Sequence, residues 1–83
     1  MNFTVYSKHG CPYCTKVLQV LSALSASRGF AVREYSLGSD FTREEFYKEF
    51  GEGSTFPQVV FGDQHLGGCS DTVKYLQENN LLG

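Results

Sequence analysis

The 83-residue sequence has few of the features that mark several common classes of protein. It contains no tryptophan, only two prolines and only three cysteines. Its seven Lys and Arg residues are nearly balanced by nine Asp and Glu residues. Three cysteines are too few for a secreted domain built on disulfides. The net charge of −2, without a basic run, argues against nucleic acid as the main partner.

Long apolar runs and a signal-peptide pattern are also missing. No apolar stretch approaches the roughly 20 residues that cross a bilayer, and residues 2–6 form a strand pattern with no basic or strongly apolar leader before it. We therefore expect no membrane partner and a cytoplasmic location in which thiols are kept reduced. The length predicts one domain over residues 1–83, and 41% hydrophobic residues can supply a small packed core.

The most informative feature that is present is the motif Cys11-Pro12-Tyr13-Cys14. It follows a short strand pattern and opens a helix pattern, with Pro12 at the first helical position, where a missing N–H costs nothing. Cys11 would be the N-cap at an exposed tip, where unpaired N–H groups and the helix dipole favour thiolate over thiol. Lys8 would add a positive charge nearby. The motif predicts thiol–disulfide exchange, with Cys11 as nucleophile and the shielded Cys14 as resolving thiol.

Half of a zinc site is the other interpretation of two cysteines at this spacing. A closed zinc site needs four ligands, and the sequence has no second Cys-x-x-Cys pair. The remaining candidates, Cys69, His9 and His65, do not stand at zinc-finger spacings. We therefore expect no metal site, with His9 lining the surface and His65 as an ordinary strand residue.

Apolar periodicity and turn residues predict the order β-α-β-α-β-β-α, an α/β chain with a four-stranded mixed sheet flanked by three helices. Thr42 and Glu45 form a capping-box pattern for the second helix, which is expected to stop at Gly51. Ser70 or Cys69 is expected to cap the last helix. The predicted strands lie at 2–6, 30–35, 58–61 and 65–66, and the helices begin at 12, 43 and about 70.

Three motifs in this order resemble the dithiol glutaredoxins of the thioredoxin-fold superfamily: Cys11-Pro12-Tyr13-Cys14, Thr55-Phe56-Pro57 and Gly67-Gly68-Cys69-Ser70-Asp71. The resemblance covers nearly the whole chain and implies a thioredoxin-like fold. It implies a cis peptide bond before Pro57, which leaves the Phe56 backbone free to pair with an extended peptide. In function it implies a glutathione-dependent thiol–disulfide oxidoreductase that uses glutathione as co-substrate and binds no cofactor.

The resemblance also implies contacts with glutathione around the cysteine pair. Lys8 would attract the glycine carboxylate, Tyr13 would wall the groove, and Asp71 would pair with the ammonium group. The start of the last helix would offer N–H groups to the γ-glutamyl carboxylate, assisted by Ser70. Cys69 is expected to be a small, partly buried side chain. The implied substrate-binding residues are Lys8, Tyr13, Thr55, Phe56, Pro57, Gly68, Cys69, Ser70 and Asp71.

Two departures from the family pattern concern the glutathione groove. Residues 51–54 lack the basic or amide side chain that many members carry before Thr-x-Pro, so that contact is missing or Lys48 supplies it. Phe56 replaces a smaller aliphatic residue, and we expect it to be tolerated, with a narrower groove.

The expected partners are glutathione and disulfide-containing or glutathionylated proteins, with ribonucleotide reductase as one candidate, and the expected state is a monomer. Two other functions remain open on the sequence. One is an electron donor recycled by thioredoxin reductase. The other is a dimer that holds a [2Fe–2S] cluster through Cys11 and two glutathiones, which Pro12-Tyr13 and Cys14 disfavour.

Overall fold

The fold was analysed in a computed structural model that describes residues 2–82. Residues 1 and 83, which the predicted domain includes, lie outside the described part. None of the helices in residues 2–82 has the length and apolarity needed to cross a membrane. The elements follow the predicted order and are β1 (Asn2–Ser7), α1 (Pro12–Arg28), β2 (Ala31–Ser36), α2 (Arg43–Phe50), β3 (Gln58–Phe61), β4 (Gln64–Gly67) and α3 (Cys69–Glu78).

The strands form one mixed sheet in the order β2-β1-β3-β4. β1 runs parallel to β2 and antiparallel to β3, and β3 and β4 form an antiparallel hairpin. Helix α1 makes the crossover that a parallel pair of strands requires. The predicted four-stranded mixed sheet with three helices is therefore confirmed.

The main core lies between one face of the sheet and the helices α1 and α3. Alternation along β1 places Phe3 and Val5 on this face, where both are fully buried. The same core holds α1 against β1, so the start of α1 stays close to the end of β1. The buried members of this core are Phe3, Val5, Val17, Leu21, Leu24, Val59, Cys69 and Leu76.

The opposite face of the sheet packs against α2 through aromatic rings. Tyr6 points away from the main core, and its ring centroid lies 5.3 Å from that of Phe41 and 4.9 Å from that of Phe50. Burial, and then the negative charge of Glu49, raise the pKa of Tyr6 above its ordinary value. We call Tyr6, Tyr35, Phe41, Phe46, Phe50 and Phe56 the aromatic cluster.

The capping box of α2 is confirmed. Thr42 Oγ1 accepts a hydrogen bond from the Glu45 N–H at 3.1 Å, and the Thr42 N–H donates to Glu45 Oε1 at 2.9 Å. Helix α2 begins at Arg43 and ends at Phe50, with Gly51 as its C-cap. These are the bounds that the sequence predicts.

The cap of α3 differs from the prediction. Neither Ser70 nor Cys69 is the N-cap, because α3 already begins at Cys69 and Gly68 precedes it in an extended conformation. The Gly68 N–H donates to Asp71 Oδ2 at 3.4 Å. This is the reciprocal half of a capping box, in which a carboxylate at the third helical position accepts from the N–H of the N-cap residue.

Candidate active site

The cysteine pair lies where the end of β1 turns into α1. Cys11 is the N-cap of α1, in an extended conformation, and Pro12 occupies the first turn, as the spacing predicts. Cys11 Sγ accepts a hydrogen bond from the Cys14 N–H at 3.2 Å. One of the unpaired N–H groups of the helix start is therefore directed at this sulfur, an arrangement that favours negative charge on it.

Cys11 and Cys14 are joined as a disulfide, with their Cα atoms 5.2 Å apart, within the usual range for such bonds. Cys14 is 3% exposed, which agrees with a shielded resolving thiol, but Cys11 is only 8% exposed. The expectation that Cys11 forms an exposed tip is wrong for this disulfide form. Its sulfur is bonded to Cys14 and accepts the Cys14 N–H, and little of the residue is left accessible to solvent.

A groove of about 230 Å³ opens beside Tyr13. Tyr13 is 62% exposed and forms one wall. The groove gathers every residue of the implied glutathione site except Lys8, although these residues come from three separate parts of the chain. It is lined by Tyr13, Thr55, Phe56, Pro57, Gly68, Cys69, Ser70 and Asp71.

The loop before β3 and the start of α3 approach each other across this groove. The Phe56–Pro57 peptide bond is cis, as the resemblance implies, and Pro57 is buried. A Cβ atom added to Gly68 would lie 3.6 Å from the Pro57 carbonyl oxygen, which is ordinary van der Waals contact. The loop before β3 and the start of α3 are thus close enough to form the two sides of one narrow site.

A second cavity, of about 700 Å³, reaches the disulfide directly. Both cysteines line it together with Lys8, His9 and Glu34. His9 is exposed, in agreement with its expected place at the surface. Among residues 2–82, no group of three or more His, Cys, Asp or Glu side chains is arranged to hold a metal ion.

A family model described as glutaredoxin matches residues 3–66, which is more than half of the chain. The chain belongs to the glutaredoxin family. A redox-active Cys-x-x-Cys disulfide in this family makes the protein a thiol–disulfide oxidoreductase.

Individual glutaredoxins agree with this assignment. Glutaredoxin 3 of Escherichia coli K12 is 38% identical over 71 residues, covering 84% of this chain and 80% of that protein. A glutaredoxin of Vernicia fordii is 39% identical over 79 residues, covering 94% and 74%. The solved structure of reduced E. coli glutaredoxin matches with a TM-score of 0.84 at 26% identity, over 96% of this chain and 98% of that one. The predicted thioredoxin-like fold is confirmed.

The remaining residue of the implied glutaredoxin site, Lys8, lies between the two cavities. It lines the second cavity, while its Nζ atom stands 5.5 Å from the ring centroid of Phe56, which lines the groove. Lys48 does not line the groove. It lines a separate cavity between α2 and the sheet, with Tyr6 and Tyr35.

Two features of this glutaredoxin were not found by reasoning from the sequence. The ring of Phe56 contacts Lys8, whereas only the Phe56 backbone was expected to take part in binding. Gly67 has φ +105° and lies against Asp71, whereas no role was inferred for Gly67 from the sequence beyond its place in the Gly67–Asp71 motif. The aromatic residues before Gly51 could have indicated that the Phe56 ring has packing partners. The two glycines ahead of Asp71 could have indicated a close approach of the backbone to that side chain.

Proposed function

We propose that this chain is a glutathione-dependent oxidoreductase that reduces glutathione mixed disulfides and protein disulfides, as one domain over residues 1–83. The observation that carries the proposal is the groove of Tyr13, Thr55–Pro57 and Gly68–Asp71 beside a disulfide at the start of α1. A groove about 230 Å³ in volume suits a short extended peptide such as glutathione.

In the proposed reaction, the Cys11 thiolate attacks the glutathione sulfur of a mixed disulfide. The bond between glutathione and the substrate protein breaks, the protein leaves as a thiolate that takes a proton from water, and a Cys11–glutathione disulfide forms. A second glutathione thiolate then attacks the bound glutathione sulfur, which releases Cys11 and oxidised glutathione. The Cys14 N–H and the dipole of α1 stabilise Cys11 as both attacking and leaving thiolate.

The groove and the neighbouring Lys8 together offer a partner for each charged group of glutathione. Lys8 would meet the glycine carboxylate, and the Phe56 backbone would pair with the cysteinyl unit. The first N–H groups of α3, with Ser70, would receive the γ-glutamyl carboxylate. Asp71 Oδ2 accepts a hydrogen bond from the Gly68 N–H. The other carboxylate oxygen, Oδ1, would accept a hydrogen bond from the ammonium group of glutathione.

For protein disulfides, the proposal adds a step through Cys14. The Cys14 thiolate attacks the Cys11–protein mixed disulfide, releases the protein thiolate and forms the Cys11–Cys14 disulfide. Because Cys14 is almost fully buried, it would react with Cys11 rather than with outside substrates. Glutathione would then reduce the pair, a step that suits a reducing cytoplasm. The proposal also takes the enzyme to be a monomer without a bound cofactor. Ribonucleotide reductase is one candidate protein substrate.

The test is the reduction of a glutathione mixed disulfide, coupled to NADPH through glutathione reductase, in the wild type, Cys11→Ser and Cys14→Ser. We expect turnover in the wild type and in Cys14→Ser, and none in Cys11→Ser. With a protein disulfide as substrate, Cys14→Ser should lose turnover as well. A silent wild type that turns over once thioredoxin reductase replaces glutathione would contradict the proposed electron donor.

A further inference from the structure

The side chain of Phe56 links the groove to the aromatic cluster. Its ring stacks on that of Phe46, with centroids 4.2 Å apart and planes 12° from parallel, and on that of Phe41 at 6.2 Å and 19°. Phe46 and Phe41 are themselves buried. The ring of Phe56 therefore rests on side chains that are fixed by the packing of α2 against the sheet.

The ammonium group of Lys8 lies over this fixed ring. Its Nζ atom is 5.5 Å from the Phe56 centroid, within the distance at which the negative face of an aromatic ring attracts a cation. Lys8 itself is exposed, and it forms no ion pair with a carboxylate among residues 2–82. The Phe56 ring is thus the group that restricts the position of the ammonium group at the end of the long, flexible Lys8 side chain.

The position of the Lys8 charge matters because few cations lie near the groove in this chain. Of the lysine and arginine side chains in residues 2–82, Lys8 alone lines either the groove or the second cavity. Residues 51–54 supply no cation either. The glycine carboxylate of glutathione would therefore depend on one ammonium group, and holding that group in advance reduces the ordering needed on binding.

We propose that the ring of Phe56, supported by Phe46, is a positioning residue that holds the Lys8 ammonium for the glycine carboxylate of glutathione. This inference rests on the proposed glutathione dependence. It assigns a role to the Phe56 side chain in addition to that of its backbone. It also explains how an aromatic residue at this position can favour binding rather than only narrow the groove.

The test is a double-mutant cycle of Lys8→Met and Phe56→Leu, with kcat and KM measured for a glutathione mixed disulfide. We expect Phe56→Leu to raise KM about two- to fivefold, the size of an exposed cation–π contact. Lys8→Met, which removes the ammonium group itself, should raise KM at least as much, and kcat should change less than about twofold in both. The double variant should have the KM of Lys8→Met alone, because the ring acts through the lysine. Phe56→Tyr keeps a ring under the ammonium and should recover most of the loss.

Phe50→Leu is the matched control. Phe50 belongs to the same aromatic cluster, 5.0 Å from Phe46 and 4.9 Å from Tyr6, and it lines neither the groove nor the second cavity. We expect this variant and Phe56→Leu both to lower the thermal unfolding temperature, because each removes a stacked ring, while the KM of Phe50→Leu stays at the wild-type value. Added salt should raise KM in the wild type and less in Lys8→Met.

Three outcomes would count against the inference. If Phe56→Leu raises KM by the same factor with and without Lys8, the ring shapes the groove and does not position the lysine. If Phe50→Leu raises KM equally, the effect is a general loss of packing. If the wild type lacks glutathione-dependent turnover, the proposed function fails together with the inference, whereas the first two results leave that function intact.

Discussion

At the scale of single residues, the backbone of Gly67 lies against Asp71, which lines the groove. Its φ of +105° is one that L side chains rarely adopt. A Cβ atom at this position would lie 2.6 Å from Asp71 Oδ2 and 3.0 Å from Asp71 Cβ. Any side chain at position 67 must therefore displace the carboxylate that accepts the Gly68 N–H at the start of α3.

We predict that Gly67→Ala both destabilises the fold and weakens binding of a glutathione mixed disulfide. The positive φ alone should cost about 1–3 kcal/mol of unfolding free energy, and displacement of Asp71 should raise KM. Gly29→Ala is the control, because Gly29 has φ +77° and open space around it and lines neither the groove nor the second cavity. Urea unfolding and KM would be measured for both. An equal KM in the two variants would contradict a role for Asp71 in binding.

The residue-scale errors of the sequence analysis have a common cause. The exposure of Cys11 was inferred from its place at a helix start, but its sulfur is turned inward by the bond to Cys14. Ser70 or Cys69 was expected to cap α3, because short polar side chains favour that position, but the helix already begins at Cys69 and Gly68 is its N-cap. Both outcomes depend on placement in three dimensions, of a sulfur atom in one case and of the helix start in the other, which spacing alone does not determine.

At the scale of elements, α2 is the helix most dependent on its cap. It has eight residues, Arg43–Phe50, of which only Phe46 is fully buried. Helices this short are marginal without support. The Thr42–Glu45 capping box supplies local support, and the stacking of Phe46 supplies tertiary support.

We predict that Thr42→Ala lowers the free energy of unfolding by about 0.5–2 kcal/mol, the usual effect of losing an N-cap oxygen. Thr42→Ser keeps that oxygen and should remain within a few tenths of a kcal/mol of the wild type, roughly. Urea unfolding followed by circular dichroism would measure both. If Thr42→Ser destabilised the protein as much as Thr42→Ala, the methyl group rather than the hydrogen bond would be the important contact.

The bounds of α2 could be predicted, whereas those of β2 were one residue too early at each end. The signals for α2 are local: Thr42 and Glu45 at its start and Gly51 at its end. The limits of β2 depend on pairing with β1, in which Asn2 faces Ala31 and Ser7 faces Ser36. A strand boundary that is set by a partner 29 residues away cannot be derived from the strand's own residues.

At the scale of the whole molecule, the sheet register explains why the three motifs meet. Tyr6, near the end of β1, pairs with Gln58 at the start of β3, so Pro57 lies beside the turn that leads to Cys11. Val59 pairs with Gly67, which brings the end of β4 to the same edge. The sequence pattern predicts these strands, but only the family resemblance implied that their ends form one site, because apolar alternation does not specify strand order.

The same architecture makes stability depend on a small core shared by α1 and the sheet. Leu21 is fully buried in that core, seven residues beyond Cys14. We predict that Leu21→Ala costs about 2–5 kcal/mol, a large share of the roughly 5–15 kcal/mol that stabilises a typical domain. For a chain of this length, each kcal/mol lowers the unfolding temperature by about 4–8 °C.

Activity should respond differently from stability in this variant. Because Cys11 is held by the first turn of α1, kcat/KM measured well below the unfolding temperature should stay within about twofold of the wild type. Gln19→Ala, on the exposed side of the same helix, is the control and should change neither quantity. Thermal unfolding of the oxidised protein, followed by circular dichroism, gives the stability. A Leu21→Ala protein as stable as Gln19→Ala would mean that α1 does not pack on β1 as described.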